Sequence, residues 1–413
     1  MKRTWMLCLS ILIVLTGFPL TGNAARPSIK AESYIMTDAV TGKILLQSEA
    51  DVALPPASMT KLMTLYLVRR QIELKKLTWD QKVRPSAKVL KLARTPGVAR
   101  VPLQNKTYTI RELYNAAFIK SANDAAVMLA ETVADSEATF VEKMNETAKQ
   151  FGMNDTEYAN ASGLDAVDAT LPGTNLMTAT DIALLVIRYI KDYPDVLDVT
   201  SKTQMKLDGE VLNNSNKMLA KEKFAYVGMR GMKTGTTDLA GYCFASVTTR
   251  DNMTLVTVVM RTDSDQARFK ETKKLLDYGF ATFEPLTYYG KGERIKDVLP
   301  IKGATVRKLD VVTDGSLYVT VPKHTTTREP RFEFSKATAP VTKQEVVGTV
   351  QVADDGIYLP GFDTPRVNLY SATSVQLASV PTRLVRAWTA WSKQIEQAIQ
   401  QSTLVNFQGD GVK

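Results

Sequence analysis

The sequence has very few of the residues that most often serve as catalytic bases and metal ligands. Its 413 residues include one histidine, His324, and two cysteines, Cys8 and Cys243. A Ser-His-Asp triad would have to use His324, which stands far along the chain from every serine in a catalytic-looking context. A metal cluster of histidine and cysteine ligands is likewise excluded. If the protein is an enzyme, its general base is a lysine or a carboxylate.

The chain also contains no glycine-rich phosphate-binding loop of either familiar form. It has no internal repeats and no low-complexity tracts. Hydrophobic residues make up 44% of the chain, which is an ordinary share for a folded globular protein. We predict that neither a metal ion nor an organic cofactor is needed.

An apolar run stands at the very start of the chain. Residues 1–25 begin with Lys2 and Arg3, continue with apolar side chains and end with small residues. This pattern is typical of a secretory signal peptide, cut near Ala24 or Ala25. A retained N-terminal anchor is the alternative, but the apolar stretch is short for a membrane span.

Cleavage of this segment would change both the charge and the cysteine content. Loss of Lys2 and Arg3 lowers the formal net charge from +9 to +7. Cys243 would be the one remaining cysteine, so we expect no disulfide in the mature monomer. A basic exported protein favours an anionic partner, such as a membrane surface or a cell-wall polymer, and export argues against nucleic acid.

Periodicity divides the mature chain into parts. Two strand patterns joined by a turn at residues 39–42 come first, and a mostly helical stretch follows from residue 55 to about 196. Later patterns predict two strands and a helix, at 241–250, 253–262 and 265–283. Strands at both ends of a helical middle predict one α/β domain, residues 26–285, with the terminal strands in a single antiparallel sheet.

The composition then changes. Residues 286–380 contain short alternating strands between Gly, Pro and Asp turns, which predicts a small all-β domain. The segments interpreted as strands are 303–313, 316–322, 345–352 and 356–362.

Residues 381–413 carry an amphipathic helix and a tail. One face of the helix is an apolar stripe, made of Leu384, Trp388, Trp391, Ile395 and Ile399. Arg383, Arg386 and Lys393 lie elsewhere on the helix, which suits a membrane interface. The alternative is a helix packed on the protein's own surface or in an oligomer, and the segment is too short and too polar to span.

The stretch "PPASMTKLMT", residues 55–64, offers a lysine base. Ser58 and Lys61 lie three positions apart, so on a helix their side chains can meet. The start of a helix supplies free N–H groups and a positive dipole, which can stabilise an oxyanion. Ser58 could instead be a plain N-cap, although Lys61 stands where a capping box has Glu or Gln.

Two later stretches strengthen the catalytic interpretation. "KSANDAA" places Ser121 and Asn123 in a break between helices, where Ser121 could also be a cap. "GMKTGTTDLAGY" places Lys233 at the start of a strand, where the alternative is a basic hairpin turn. The order SxxK, SxN, KTG is the signature of penicillin-binding proteins and class A β-lactamases. In this arrangement Lys233 can lower the pKa of Lys61, and Ser121 can bridge the two lysines.

The chain resembles the low-molecular-mass penicillin-binding proteins, specifically the serine-type D-alanyl-D-alanine carboxypeptidases of peptidase S11 type. The segments "DAVTGKILLQ", "GMNDTEYANASGL", "TATDIALL" and "FKETKKLLDYGF" share that family's order, and the likeness covers roughly residues 29 to 285. The resemblance implies a penicillin-binding/β-lactamase-like fold, an antiparallel sheet with a helical subdomain. The all-β domain and the terminal helix also resemble the family's architecture.

The resemblance also implies the catalytic roles. Ser58 would be the acylated nucleophile and Lys61 its base. Ser121 would relay a proton to the leaving D-alanine, Asn123 would hold the substrate's amide, and Lys233 would support the electrostatics.

Further roles follow for the substrate-binding strand and a later helix. Thr234, Thr237 and Arg268 would receive the terminal carboxylate of the substrate. The oxyanion hole would be the backbone N–H groups of Ser58 and Thr236, and Gly235 belongs to the same strand. Many relatives have His or Tyr where Thr236 stands, from which we expect an altered rate rather than lost activity.

The implied function is removal of the terminal D-Ala from peptidoglycan stem pentapeptides, with β-lactams as covalent inhibitors of Ser58. The enzyme would be exported to the periplasm and attached to the outer face of the inner membrane through its C-terminal helix. A D,D-endopeptidase, a β-lactamase of the same fold and a non-catalytic wall-binding protein are the alternatives.

Overall fold

The computed structural model describes residues 25–325 and 328–409. All of the predicted signal peptide except Ala25 lies outside the described residues. The helices and strands of the first domain are, in chain order, β1 (Ser33–Asp38), β2 (Ile44–Ser48), a 3-10 turn (Ala57–Thr60), α1 (Lys61–Glu73), β3 (Lys82–Val83), α2 (Ala87–Leu92), β4 (Tyr108–Thr109), α3 (Ile110–Ile119), α4 (Asn123–Ala134), α5 (Glu137–Gln150), α6 (Ala179–Asp192), α7 (Val196–Thr200), β5 (Gln204–Leu207), β6 (Glu210–Asn213), β7 (Met229–Thr237), β8 (Gly241–Arg250), β9 (Met253–Thr262) and α8 (Asp265–Thr282). Those of the second part are β10 (Phe283–Tyr289), β11 (Arg294–Pro300), β12 (Lys308–Thr313), β13 (Leu317–Pro322), β14 (Arg331–Phe334), β15 (Val346–Gln351), β16 (Arg366–Ser371) and α9 (Val380–Gly409).

A five-stranded antiparallel sheet forms the centre of the first domain. Its strand order is β2-β1-β9-β8-β7. The register sets Tyr34 of β1 opposite Val259 of β9 and Lys233 of β7 opposite Ala245 of β8. The prediction that the terminal strands share one antiparallel sheet is therefore confirmed, and β7 is left as an edge strand.

Helices cover both faces of this sheet. On one face α8 packs against β8 and β9, where Phe244, Phe269 and Leu275 are fully buried. On the other face α6 packs against β1 and β9, and a larger core extends from there through α1, α3, α4 and α5. This second face carries the helical subdomain, so the side chains of α1, α4 and β7 come together where helices and sheet meet.

Side-chain caps mark where several helices begin. Thr109 forms a capping box with Glu112 at the start of α3. Thr178 accepts a hydrogen bond from the backbone N–H of Asp181 at the start of α6, and Ser264 caps α8 in the same way. Because such caps satisfy N–H groups that have no partner within the helix, they fix the helix starts locally in the sequence.

The second domain is all-β, as predicted. It contains a two-stranded sheet, β10-β13, and a five-stranded sheet, β11-β12-β16-β15-β14. Leu299, Val311, Val350 and Leu369 fill its separate core.

Two of the predicted strand placements are wrong. Residues 356–362 form no strand, and Tyr358 makes only an isolated β-bridge to Lys43. Pro360 cannot donate to a ladder, and Gly361 has a φ of +78°, so the segment cannot run as a regular strand. Lys233 lies in the middle of β7 rather than at its start.

Residues 354–362 instead form a strap that joins the two domains at the β1–β2 turn. The backbone N–H of Ile44 donates to Ile357 O at 2.8 Å. Lys43 Nζ lies 2.8 Å from both carboxylate oxygens of Asp354, and Tyr358 donates to the same carboxylate at 2.6 Å. The strap thus fixes the all-β domain to the edge of the sheet opposite β7.

Helix α9 leaves the all-β domain after a short attachment. Arg386 Nη1 donates to Ala304 O at 2.6 Å. The apolar stripe around and beyond it is exposed, with Leu384, Trp388 and Trp391 at 65%, 68% and 54%. Within the described residues, no helix combines the length and the apolar character that crossing a membrane requires.

Candidate active site

Five polar side chains meet between the sheet and the helices, four from four different elements and one from the turn before α4. Lys61 Nζ, at the start of α1, lies 2.8 Å from Ser58 Oγ and 2.6 Å from Asn123 Oδ1. Lys233 Nζ, in β7, lies 2.8 Å from Ser121 Oγ. The structure therefore brings the SxxK, SxN and KTG residues into one site.

Neither serine is a helix cap. The 3-10 turn follows Pro56 and α4 follows Ala122, and neither start has a side-chain cap. Instead the backbone at both places is strained, with a φ of +47° at Ala57 and +63° at Ser121. Because L-residues rarely adopt such angles, the surrounding packing must hold Ser58 and Ser121 in place, as is common at functional sites.

The hydrogen bonds of Lys61 orient its amine. Besides Ser58 and Asn123, its Nζ contacts the backbone carbonyl of Ser162 at 2.6 Å. A neutral amine has two N–H groups and one lone pair. The carbonyl of Ser162 and the Oδ1 of Asn123 can only accept, so they take both N–H groups. The lone pair then faces the Ser58 hydroxyl, which is the geometry of a general base.

Burial favours the neutral form of the Lys61 amine. Lys61 has 0% exposure. Burial, and then the nearby Lys233 cation, lower the pKa of Lys61 far below its ordinary value, while Asp124 acts in the opposite direction. Burial and Arg268 lower the pKa of Lys233 to about 7. Desolvation is thus the largest cause for both lysines. The Lys233 cation, which the sequence predicted as a cause, is the next for Lys61, and Arg268 is the next for Lys233.

Ser121 contacts one lysine rather than bridging two. Its Oγ accepts from Lys233 Nζ, which also donates to Thr234 O at 3.0 Å. Among the described residues, the hydrogen bonds of Lys61 go to Ser58, Asn123 and Ser162. Ser121 is therefore placed to exchange a proton with the Lys233 side of the site.

Strand β7 approaches Ser58 closely because Gly235 has no side chain. A Cβ at Gly235 would lie 2.5 Å from Pro56 O and 3.4 Å from the backbone nitrogen of Ser58. The strand backbone, including Thr236, can therefore lie against the peptide of Ser58. This is the approach that a two-N–H oxyanion hole at Ser58 and Thr236 requires.

The two predicted carboxylate-binding threonines have partners within the protein. Thr237 Oγ1 donates to Asp165 Oδ1 at 2.8 Å. Thr234 Oγ1 lies 2.6 Å from Ser215 Oγ. Thr237 would have to give up its present hydrogen bond in order to donate to a substrate carboxylate. Thr234 can accept from Ser215 and still donate its own O–H.

Arg268, the third predicted carboxylate-binding residue, lies behind the strand. Its Nη1 donates to Gly235 O at 2.9 Å and to Thr236 Oγ1 at 2.8 Å, and its Nη2 pairs with Asp265. With 5% exposure, it supplies positive charge to the end of β7 from beneath the surface.

Sequence reasoning missed Ser162, whose carbonyl holds Lys61. Its position depends on Asn160, whose Oδ1 accepts from the backbone N–H groups of Ser162 at 3.2 Å and Gly163 at 2.7 Å. Asn175 then ties this turn to Thr60 Oγ1 at 2.8 Å. The sequence signal was the Asn-Ala-Ser-Gly turn within the family-like segment. Ser162 and Lys61 lie far apart in the sequence, so their contact could not be predicted.

The described residues contain no group of three or more His, Cys, Asp or Glu side chains that could hold a metal ion.

Comparison with known proteins places this geometry in a family. Residues 21–264 match the peptidase S11 family, D-alanyl-D-alanine carboxypeptidase. Residues 283–376 match the C-terminal domain of penicillin-binding protein 5. The D-alanyl-D-alanine carboxypeptidase DacC of Escherichia coli strain K12 is 30% identical over 361 residues, which cover 83% of this chain and 84% of that protein.

Solved structures show the same fold. The peptidoglycan synthesis regulatory factor PBP3 from Streptococcus pneumoniae has a TM-score of 0.77 and 29% identity, covering 85% of this chain and all of that one. Penicillin-binding protein D2 from Listeria monocytogenes, in its ampicillin-bound form, has a TM-score of 0.55 and 33% identity over 62% of this chain and 99% of that one. These matches confirm the predicted fold class and enzyme class. The chain belongs to the D-alanyl-D-alanine carboxypeptidases of the peptidase S11 family.

Proposed function

We propose that Ser58 attacks the carbonyl of the penultimate D-Ala of a peptidoglycan stem peptide. Lys61 takes the hydroxyl proton of Ser58 as the new C–O bond forms. The backbone N–H groups of Ser58 and Thr236 stabilise the oxyanion of the tetrahedral intermediate. Collapse of this intermediate breaks the peptide bond and leaves an acyl-enzyme on Ser58, which water then hydrolyses.

The leaving D-alanine needs a proton on its nitrogen. Ser121 Oγ supplies it and is reprotonated by the ammonium form of Lys233, with which it shares a 2.8 Å hydrogen bond. During hydrolysis the attacking water returns a proton to Lys233 through Ser121, and Lys61 gives its proton back to Ser58 Oγ as the ester C–O bond breaks. Asn123 keeps Lys61 oriented through its Oδ1 and faces the substrate's amide. Arg268, Thr234 and Thr237 attract the terminal carboxylate, so the substrate's C-terminus is drawn to the end of β7.

The observation that carries this proposal is the set of three contacts at Lys61. Two acceptors occupy its N–H groups and leave the lone pair for Ser58, at 2.8 Å. A lysine that only stabilised the fold would not need this orientation of its lone pair toward a half-buried serine.

D-alanine release from diacetyl-Lys-D-Ala-D-Ala tests the proposal directly. The chain from residue 26 onward should release D-alanine, and benzylpenicillin should block the release. Ser58→Ala should abolish both release and covalent labelling by a fluorescent penicillin, with the same thermal unfolding midpoint as wild type. Labelling that survives in Ser58→Ala would overturn the nucleophile assignment.

We also propose that the enzyme is exported to the periplasm and held at the outer face of the inner membrane by α9. The exposed stripe on α9 and the exposed cations Arg383 and Lys393 support this proposal. Apolar side chains can enter the boundary between headgroups and acyl chains, while cations contact anionic lipid.

A further inference from the structure

A buried carboxylate that the proposed mechanism does not use lies directly behind the active site. Asp124 has 0% exposure and follows Asn123 at the start of α4. Its Oδ1 accepts from the backbone N–H groups of Val101 at 3.1 Å and Ala125 at 3.0 Å. Its Oδ2 is buried and has no hydrogen-bond partner among the described residues. An ionised oxygen without a partner is costly to bury, so its presence calls for a role.

Asp124 joins the active-site turn to a neighbouring segment. The backbone N–H of Asn123 donates to Ala99 O at 2.9 Å, and the backbone N–H of Val101 donates back to Asp124. Two hydrogen bonds of opposite direction therefore hold residues 99–103 against the turn that carries Ser121 and Asn123. Loss of the carboxylate would remove the hydrogen bond from Val101 and leave the one to Ala99 O.

The same carboxylate acts on Lys61 through space. Burial and Lys233 favour the neutral amine of Lys61, and Asp124 favours the ammonium form. Burial raises the pKa of Asp124 to about 6, and the backbone N–H groups of Val101 and Ala125 oppose that rise. Asp124 is thus ionised above about pH 6, where its charge can influence the lysine.

We propose that Asp124 is a positioning residue of the acylation step, which holds residues 99–103 against the Ser121–Asn123 turn and whose charge raises the pH at which Lys61 becomes a base. This inference rests on the assignment of Ser58 and Lys61 given above. Asp124 itself touches no substrate, because it lies buried behind Asn123.

Asp124→Asn separates the charge from the attachment. An asparagine oxygen can still accept from Val101 and Ala125, but the negative charge is gone. We would measure the rate constant for acylation by a fluorescent penicillin as a function of pH. In this pH profile the acidic limb should shift to lower pH by about 0.5 to 1 unit. KM for the tripeptide should stay within about twofold of wild type. The matched control is Asp181→Asn, which removes another buried carboxylate, of pKa about 6, and should leave the limb in place.

Asp124→Ala removes both contributions. The acidic limb of its pH profile should shift as in Asp124→Asn, and KM should also rise by about tenfold, because residues 99–103 lose one of their two hydrogen bonds to the Ser121–Asn123 turn. If Asp124→Asn does not fold, Asp124→Glu provides the second measurement, because it keeps the charge and should keep the limb at its wild-type position.

The outcomes separate this inference from the proposed function. Wild-type protein that takes up no penicillin at any pH would contradict the assignment of Ser58. Wild-type protein that is acylated, with Asp124→Asn giving a superimposable pH profile, would overturn the role of Asp124 alone. A KM in Asp124→Ala equal to that of Asp124→Asn would overturn the attachment.

Discussion

Lys61 and Lys233 are almost completely withdrawn from solvent, with 0% and 1% exposure. Burying an ammonium ion is costly, so each lysine gives up its proton more readily than in water. The burial that makes each lysine a base must therefore also reduce the stability of the folded protein at any pH where the buried lysine is protonated.

Lys233→Met tests that cost. The pKa of Lys233 is about 7 in the folded protein, against about 10.4 when unfolded. Between these values the unfolded chain binds a proton that the folded one does not, so the contribution of Lys233 to stability rises with pH from about 7 to about 10. Relative to wild type, Lys233→Met should be more stable at pH 6 than at pH 9, by about 2–3 kcal/mol.

Urea unfolding of both proteins at the two pH values measures this difference. The control is Lys143→Met, because Lys143 is exposed on α5. An equal difference for both variants, or one of opposite sign, would contradict the effect of burial.

Arg268→Lys tests how the substrate's carboxylate is attracted. Lysine keeps the charge but cannot hold Gly235 O, Thr236 Oγ1 and Asp265 at once with a planar fork. We expect the preference for a free C-terminal carboxylate over a C-terminal amide, in kcat/KM, to fall by about tenfold. Arg261→Lys, which changes an exposed pair with Glu32, should keep the preference. Unchanged discrimination in Arg268→Lys would remove Arg268 from substrate recognition.

Single residues were predictable where the motif is local. Ser58 and Lys61 lie within one turn, so their meeting follows from helical spacing alone. Ser162 and Asp165 were missed because a backbone carbonyl carries no residue signature and because Asp165 meets Thr237 only after the chain has folded. What was unpredictable is therefore the set of contacts that orient the motif residues.

At the scale of elements, the turn that carries Ser162 packs against the turn that carries Ser58. A Cβ at Gly163 would lie 1.9 Å from Ala57 O, and the φ of Gly163 is +83°. Backbone cannot yield as a flexible side chain can, so any side chain at this position must separate the two turns.

Gly163→Ala should therefore displace the Ser162 carbonyl from Lys61. We expect acylation by penicillin to slow by about a hundredfold and stability to fall by about 2–4 kcal/mol. Gly209→Ala is the matched control, since its φ is +82° and nothing lies within 4 Å of the added Cβ. The control should lose only about 1 kcal/mol and keep its acylation rate. Equal rates in the two variants would exclude the packing of these turns as a cause.

Elements were predicted best where periodicity and caps agree. Helix α4 lies within the stretch predicted to be mostly helical, and α6 and α8 begin at capped positions. Strands of the all-β domain were predicted less well, because several are short and irregular. The ladder between β11 and β12 shifts register between Ile295 and Leu299, which breaks the alternation that a sequence pattern relies on.

At the scale of the whole molecule, the proposed membrane attachment and the active site lie in different parts. The apolar stripe lies on α9, whereas the active site lies in the first domain. Deleting residues 381–413 should leave kcat/KM for the tripeptide within about twofold. It should also abolish sedimentation with vesicles of anionic lipid.

A double substitution, Trp388→Ala with Trp391→Ala, should reduce vesicle binding by about tenfold or more, because each exposed indole otherwise enters the interface. The control is Gln394→Ala, which removes a polar side chain from the same helix. Vesicle binding that is unchanged after the deletion would place the membrane contact elsewhere.

The strap of residues 354–362 has a mechanical consequence. It fastens the all-β domain to the β1–β2 turn, through Lys43 and Asp354 and the backbone of Ile44. The sheet order is β2-β1-β9-β8-β7, so this joint and the catalytic strand lie at opposite edges. The direct junction of α8 and β10 is a second joint between the domains. A pull on α9 would therefore enter the first domain at β2 through the strap and at α8 through the chain itself. Because Arg268 of α8 holds Gly235 O and Thr236 Oγ1, tension on the tail would reach the substrate-binding strand through α8.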